Sequence, residues 1–298
     1  MFRTVRLAKD LWRHSFVHRS FSLILSTVTE RTNLSMSRTK RDTPSSSKVE
    51  TNEEELKKEV KEKKTKTTPI PKNFEKEYEL IQEMRKARDA PVDSNGSECC
   101  PDPKAEPKLY RYQTLIGLML SSQTKDEVTM AAVLRLRKYG LTPEHIRETS
   151  EEKLQSLIKP VGFYRRKAKY IKDTTEIVIN QYDGDIPATI EELVKFPGVG
   201  PKMGYLVLKV AWNKVDGIAV DVHVHRIANR LQWAKAETPE KTREQLEAWM
   251  PKKYWFDVNL LLVGFGQQIC KSKPKCDQCK LTKMCPYFAE NNTDIEDL

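Results

Sequence analysis

From residue 74 onward, apolar positions recur three and four residues apart, the spacing of one helix face. Phe74, Tyr78, Leu80, Ile81 and Met84 mark the first such face. Residues 115–120, Leu-Ile-Gly-Leu-Met-Leu, are apolar on every side, which predicts a helix buried all round. A loop rich in Pro, Cys and Asp at 91–107 separates the two. Helical periods continue at roughly 125–139, 151–159, 165–180, 188–196, 201–214, 222–234, 239–249 and 254–269, joined by short loops. There is no sustained period-2 alternation and no βαβ pattern, so the fold class is all-α. No apolar run approaches the ~20 residues that cross a bilayer, which excludes a membrane-spanning protein.

Ahead of this body the pattern changes. Residues 1–72 carry a net charge of +8 out of +10 for the whole 298-residue chain, and 286–298 carry −4. Hydrophobic residues make up 38% of the chain, below the roughly 45–50% of a globular domain, as expected for a folded body with a disordered basic leader. Residues 1–48 are basic, serine-rich and acid-poor, with Phe2, Val5, Leu7, Leu11 and Trp12 interleaved. That is the composition of a mitochondrial transit peptide, or of a plain basic tail. A start at Met36 would remove it and leave Ser37–Arg41, which together with Lys57–Lys66 reads as nuclear-import sequence. The expected locations are therefore nucleus and mitochondrion. Residues 48–72 read as a solvated linker ending in Pro69-Ile70-Pro71.

The most informative stretch is Phe196-Pro197-Gly198-Val199-Gly200-Pro201-Lys202. A helix end meets Pro-Gly-Val-Gly, and a second helix opens on Pro201, a favoured first position. Gly198 and Gly200 let the backbone turn tightly and approach a ligand, and the N–H groups around Val199 and Gly200 form a phosphate site at the helix start. This is a helix-hairpin-helix pattern over about 190–212, suited to gripping DNA backbone without reading sequence. Lys202 would serve there either as a phosphate contact or, unprotonated, as a nucleophile. Ala219-Val220-Asp221-Val222-His223 follows; Asp221 reads as a helix N-cap and also as a carboxylate able to stabilise developing positive charge. His223 and His225, two apart on a helix, point to different faces and are assigned no ligand role.

Cys270, Cys276, Cys279 and Cys285 fall in the pattern C-x5-C-x2-C-x5-C. Structural zinc more often shows two C-x2-C pairs, so this spacing suits a [4Fe–4S] cluster better. Cys99 and Cys100 read as incidental. Lys271, Lys273, Lys275, Lys280 and Lys283 decorate the cysteine loop, and Arg165-Arg166-Lys167 with Lys169 and Lys172 form a second basic patch; both read as phosphate contacts.

Together, these residues closely resemble the endonuclease III family of DNA glycosylases, its eukaryotic branch in particular. Phe196–Met203, Ala219–His223 and the four cysteines stand in that family's order, and Leu120–Asp126 and Val161–Ala168 match two further segments. The resemblance covers about 75–288. It implies a two-lobed fold, with a six-helix barrel over 104–215 and an iron–sulfur lobe built from 73–103 and 216–298. It also implies a monomeric base-excision-repair enzyme acting on double-stranded DNA containing oxidised pyrimidines of the thymine glycol type, or abasic sites. Lys202 would attack C1′ and form a Schiff base, and β-elimination would nick the strand 3′ of the lesion. Asp221 takes the carboxylate role, Gln123 maps to the gap-filling wedge, and Phe163 lies near the residue that separates the opposite strand. Two departures stand out. The first cysteine gap is five residues where the family usually has six, and Gly204 replaces the usual alanine, which either loosens its helix or admits closer packing.

Two other readings compete. A monofunctional mismatch glycosylase would share hairpin and cluster, but generally lacks the lysine and carries a further C-terminal domain. A non-enzymatic DNA-binding module with a structural metal would leave Lys202 and Asp221 as coincidence.

Overall fold

The computed structural model of the chain describes residues 69–291. Residues 1–68, which hold the segments expected to act in transit and import, and residues 292–298, with the acidic end, lie outside the described residues. Helices α1 (Phe74–Met84) and α2 (Pro91–Asn95) precede α3 (Pro107–Ser121), α4 (Asp126–Tyr139), α5 (Pro143–Glu148), α6 (Glu151–Ile158) and α7 (Tyr164–Tyr182). Then come α8 (Ile190–Leu193), α9 (Pro201–Trp212), α10 (Val222–Arg230), α11 (Pro239–Trp249), α12 (Val258–Gln268) and α13 (Pro286–Asn291), and the described residues contain no strand. Local chemistry starts these helices. Pro107, Pro143, Pro201 and Pro239 occupy first-turn positions, and the side chains of Thr142, Ser150, Asp221 and Thr238 accept N-terminal N–H groups. No described helix is long and apolar enough to cross a membrane.

Two apolar cores form. In the first, α3 is the axis, buried without a break from Tyr112 to Leu120, and α9 packs along it. Val133, Leu136, Ile146, Leu154, Ile158, Ile171, Leu193 and Val207 surround it. In the second, Phe74 at the start of α1 meets the rings of Trp233, Trp249 and Tyr254 edge-on at 4.9, 4.8 and 5.0 Å. Val224, Ile227, Leu246, Leu262, Phe265 and Leu281 complete that core. The chain thus returns to close a core that α1 began.

Cys100 is not incidental. It is buried in the first core and seated against Gly117 of α3, where an added Cβ would stand 2.5 Å from its own Cβ. The end of the 91–107 loop therefore packs with the first core. The start of that loop is α2, lying against both α4 and α12. Arg85, fully buried, reaches it across Gly264, pairing with Asp93 at 2.5 Å and with Gln268 Oε1 at 2.7 Å. Gln267 accepts from Val92 N and donates to Asp126 Oδ2, joining α2, α12 and the start of α4.

Two helices are shorter than their periodicity predicts. α8 stops at Leu193 because the chain must bend to bury Phe196. α10 ends at Arg230, where Gln232 takes a left-handed φ of 55° and swings Trp233 inward to donate to Glu77 Oε2 at 2.5 Å.

Candidate functional site

The hairpin runs from α8 through residues 194–200 into α9. Gly198 has φ +77°, and a Cβ there would meet the Tyr170 ring at 2.5 Å, so the fold itself demands glycine. Gly200 differs: an added Cβ would meet no protein atom within 4 Å, so the opening it leaves faces outward. Val199 is 6% exposed and packs in the first core, which leaves its backbone, not its side chain, to meet a ligand. Gly204 admits closer packing, since its missing Cβ is replaced by Ile190 Cδ1 at 2.4 Å from the Cβ position.

Lys202, in the first turn of α9, and Asp221, the N-cap of α10, line one open cleft of about 1110 Å³ together with Gln123, Asp126, His223, Arg226 and Lys271. Both capping bonds of Asp221, from His223 N at 2.9 Å and Val224 N at 2.8 Å, fall on Oδ1, leaving Oδ2 outside the cap. Lys202 is exposed, so any desolvation of its amine must come from what enters the cleft. His223 and His225 diverge as their spacing implies: His225 Nδ1 bonds Thr242 Oγ1, while His223 faces the cleft beside Arg226. Burial holds the His223 imidazole below its ordinary value.

Asp126, which also lines this cleft, has no site role in the reading of the sequence. Burial raises its carboxyl above the usual range, against the Gln267 bond and the Lys202 charge that pull it down. An acid opening a helix three residues after Gln123 was the available signal, but it also reads as an ordinary first-turn acid.

Gln123 also borders a second recess of about 310 Å³, shared with Phe163, Arg166, Lys167, Tyr170 and Gly198. Gln123 and Phe163 both adopt left-handed backbone, φ 50° and 56°, and Phe163 is 55% exposed. Arg165 and Arg166 are exposed, Arg166 over the Phe163 ring at 5.0 Å. Two members of the expected basic patch do not belong to it. Lys167 is buried, and Lys172 points its amine at Ile146 O, Arg147 O and Thr149 O. Both lysines hold carbonyls at helix C-termini instead of facing a phosphate.

Cys270, Cys276, Cys279 and Cys285 line one apolar pocket, capped by Arg230, whose Nη1 donates to Cys270 Sγ at 3.3 Å. Among the described residues no three His, Cys, Asp or Glu side chains close on a single metal ion. Burial and mutual repulsion raise the Cys276, Cys279 and Cys285 thiols, Cys279 to about 11, so a strong cationic centre would be needed to hold these three as thiolates. Four thiols lining one apolar pocket are the donor chemistry that an iron–sulfur cluster takes. Of the loop's lysines, Lys271 lines the cleft, Lys273 and Lys275 are exposed, and Lys280 pairs with Glu83 at 2.6 Å.

Residues 116–252 match the HhH-GPD superfamily of base excision DNA repair proteins. The chain is 56% identical over 219 residues to endonuclease III-like protein 1 of Gallus gallus, covering 72% of this chain and 78% of that one. The endonuclease III homolog of Schizosaccharomyces pombe is 46% identical over 231 residues, covering 76% and 65%. Among solved structures, a trapped endonuclease III–DNA covalent intermediate superposes with a TM-score of 0.58 at 29% identity, over 70% of this chain and 97% of that one.

Proposed function

The chain belongs to the endonuclease III family of the HhH-GPD superfamily, base excision repair DNA glycosylases, and on that footing we propose that it is a bifunctional glycosylase and abasic-site lyase for oxidised pyrimidines of the thymine glycol type. The observation that carries this reading is Lys202 sharing a cleft with Asp221 at the mouth of a DNA-gripping hairpin. The damaged base is turned out of the stack, at a cost of a few kcal/mol that is smaller for damaged pairs. The hairpin N–H groups and Lys271 hold the backbone. Lys202 Nζ forms a bond to C1′ as the C1′–N bond breaks, and the electron pair leaves with the base, which takes up a proton. Opening of the sugar ring gives a Schiff base. Loss of a C2′ proton then expels the 3′ phosphate. Asp221 Oδ2 stabilises the cationic sugar and assists these proton transfers.

The four cysteines would hold a [4Fe–4S] cluster, which supplies a rigid brace for the basic loop. The leader would direct the chain to nucleus and mitochondrion, and the enzyme would act as a monomer. A non-enzymatic DNA tether leaves the convergence of Lys202 and Asp221 unexplained.

Borohydride trapping on a duplex containing thymine glycol tests the reading. Wild type should give a covalent adduct and Lys202→Ala none, with DNA affinity within a few-fold. Tight binding without an adduct in wild type would reduce the chain to a monofunctional glycosylase or a binding module.

A further inference from the structure

Lys167 carries a buried charge that the proposed chemistry does not use. It is 6% exposed, and its Nζ donates to Leu120 O at 2.7 Å, Ser122 O at 2.6 Å and Thr124 Oγ1 at 3.1 Å. The acceptors cluster at the C-terminal end of α3, where spare carbonyls and the negative end of the helix dipole favour a cation. Thr124 Oγ1 also accepts from Gly162 N at 3.2 Å. Gly162 in turn lies so close to Gln123 O that a Cβ would stand 2.7 Å from it. One ammonium therefore ties the 121–125 turn to the 160–163 turn. Each turn holds a non-glycine residue in left-handed backbone, Gln123 and Phe163, a conformation that persists only where surrounding contacts enforce it.

We propose that the Lys167 ammonium is a positioning residue that locks Gln123 and Phe163 into one rigid probe, so that both side chains enter the duplex together at a lesion. This rests on reading those two residues as the parts that enter DNA. Burial lowers Lys167 to about 8. The titratable groups bordering its recess, Arg166 and Tyr170, are both on α7; the α3 and hairpin sides contribute Met119, Ser122 and Gly198, so no carboxylate faces the amine there. Once deprotonated, the amine has two N–H donors for three oxygens, and one contact turns lone pair against oxygen. The sign for stability is opposite. The folded chain releases this proton more readily than the unfolded one, so between about pH 8 and the ordinary lysine value near 10.4 this group's contribution to stability rises. Probe function and fold stability are thus expected to move in opposite directions.

The test uses full-length, cluster-loaded protein with Lys202→Ala to block turnover, and a thymine glycol duplex carrying 2-aminopurine opposite the lesion. The fluorescence rise on binding reports unstacking. Lys167→Met should cut that rise about tenfold while binding to undamaged duplex stays within twofold. With Lys167 present the rise should fall between pH 7 and 9; in Lys167→Met it should be flat. Thr124→Val, a smaller change, should lose about threefold and serves should the methionine variant not fold. Full unstacking by Lys167→Met or Thr124→Val, or a pH fall that persists in Lys167→Met, would overturn the proposal. Gln123→Ala with Phe163→Ala marks the difference between failures. An undiminished rise there sinks the probe reading and this proposal with it, whereas a lost rise there beside an intact Lys167→Met signal sinks the proposal alone.

Discussion

Asp221 caps a helix with Oδ1 alone and lines the cleft, so the cap and the proposed carboxylate role can be separated by substitution. Asparagine caps as well as aspartate does, which predicts that Asp221→Asn melts within about 0.5 kcal/mol of wild type. It lacks the charge, and trapping on thymine glycol duplex should slow about 10²–10³-fold. Asp221→Ala should show the same slowing and in addition lose about 1 kcal/mol of stability. An asparagine variant that traps at the wild-type rate would leave Asp221 a cap and nothing more. The cap was legible in Val220-Asp221-Val222-His223, because an N-cap is a local pattern. The inward turn of the Lys167 and Lys172 amines was not. Beside Arg165 and Arg166 they read as surface cations, and their partners are carbonyls at the ends of helices far away in sequence. Asp126 was hidden for the same reason: its burial is set by Gln267 on α12.

At the scale of the hairpin, the two glycines are required for different reasons and should fail differently. Gly198→Ala forces a Cβ into left-handed backbone and against the Tyr170 ring, a cost of about 1–3 kcal/mol visible in thermal melting. Gly200→Ala has open space and ordinary φ, −101°, so its stability should stay within about 0.5 kcal/mol of wild type. Its DNA affinity should nonetheless fall at least several-fold, because a methyl group now stands where the phosphate backbone would come close. Unchanged affinity in Gly200→Ala, measured by anisotropy at fixed salt, would remove the hairpin from the DNA contact surface. Most long helices were legible from apolar spacing and from prolines at their starts. The short ones, α2, α5 and α13, complete too few turns to show a period; only Thr142-Pro143 announces α5. Gly204 could be read either way from sequence, and the packing of Ile190 against it decides for close approach.

The whole molecule closes its second core from three distant stretches of chain. α1 supplies Phe74, α10 to α12 supply most of the wall, and the cysteine loop supplies Leu281, which is 1% exposed. An all-α fold with a hairpin and a thiol cluster was readable from the sequence, whereas the buried pairing of Arg85 with Asp93 across Gly264 was not, since nothing local marks an arginine for burial. This closure would make the proposed cluster a matter of global stability. A loop of about 16 residues rich in lysine has little apolar area of its own, so the binding free energy of a metal centre there would be the free energy that folds it. Cys279→Ser should therefore do more than bleach the protein. Iron content and visible iron–sulfur absorption should fall together, and melting should drop by well over 5 °C, the consequence of a few kcal/mol in a body of this size. Amide hydrogen exchange should locate the loss: protection should fade in α1, α10 and α12 around the second core and persist in α3 and α9. Uniform loss in both cores would mean that they fold as one unit. A colourless wild type with one zinc per chain would replace the proposed cluster by a single ion held by the same four thiols.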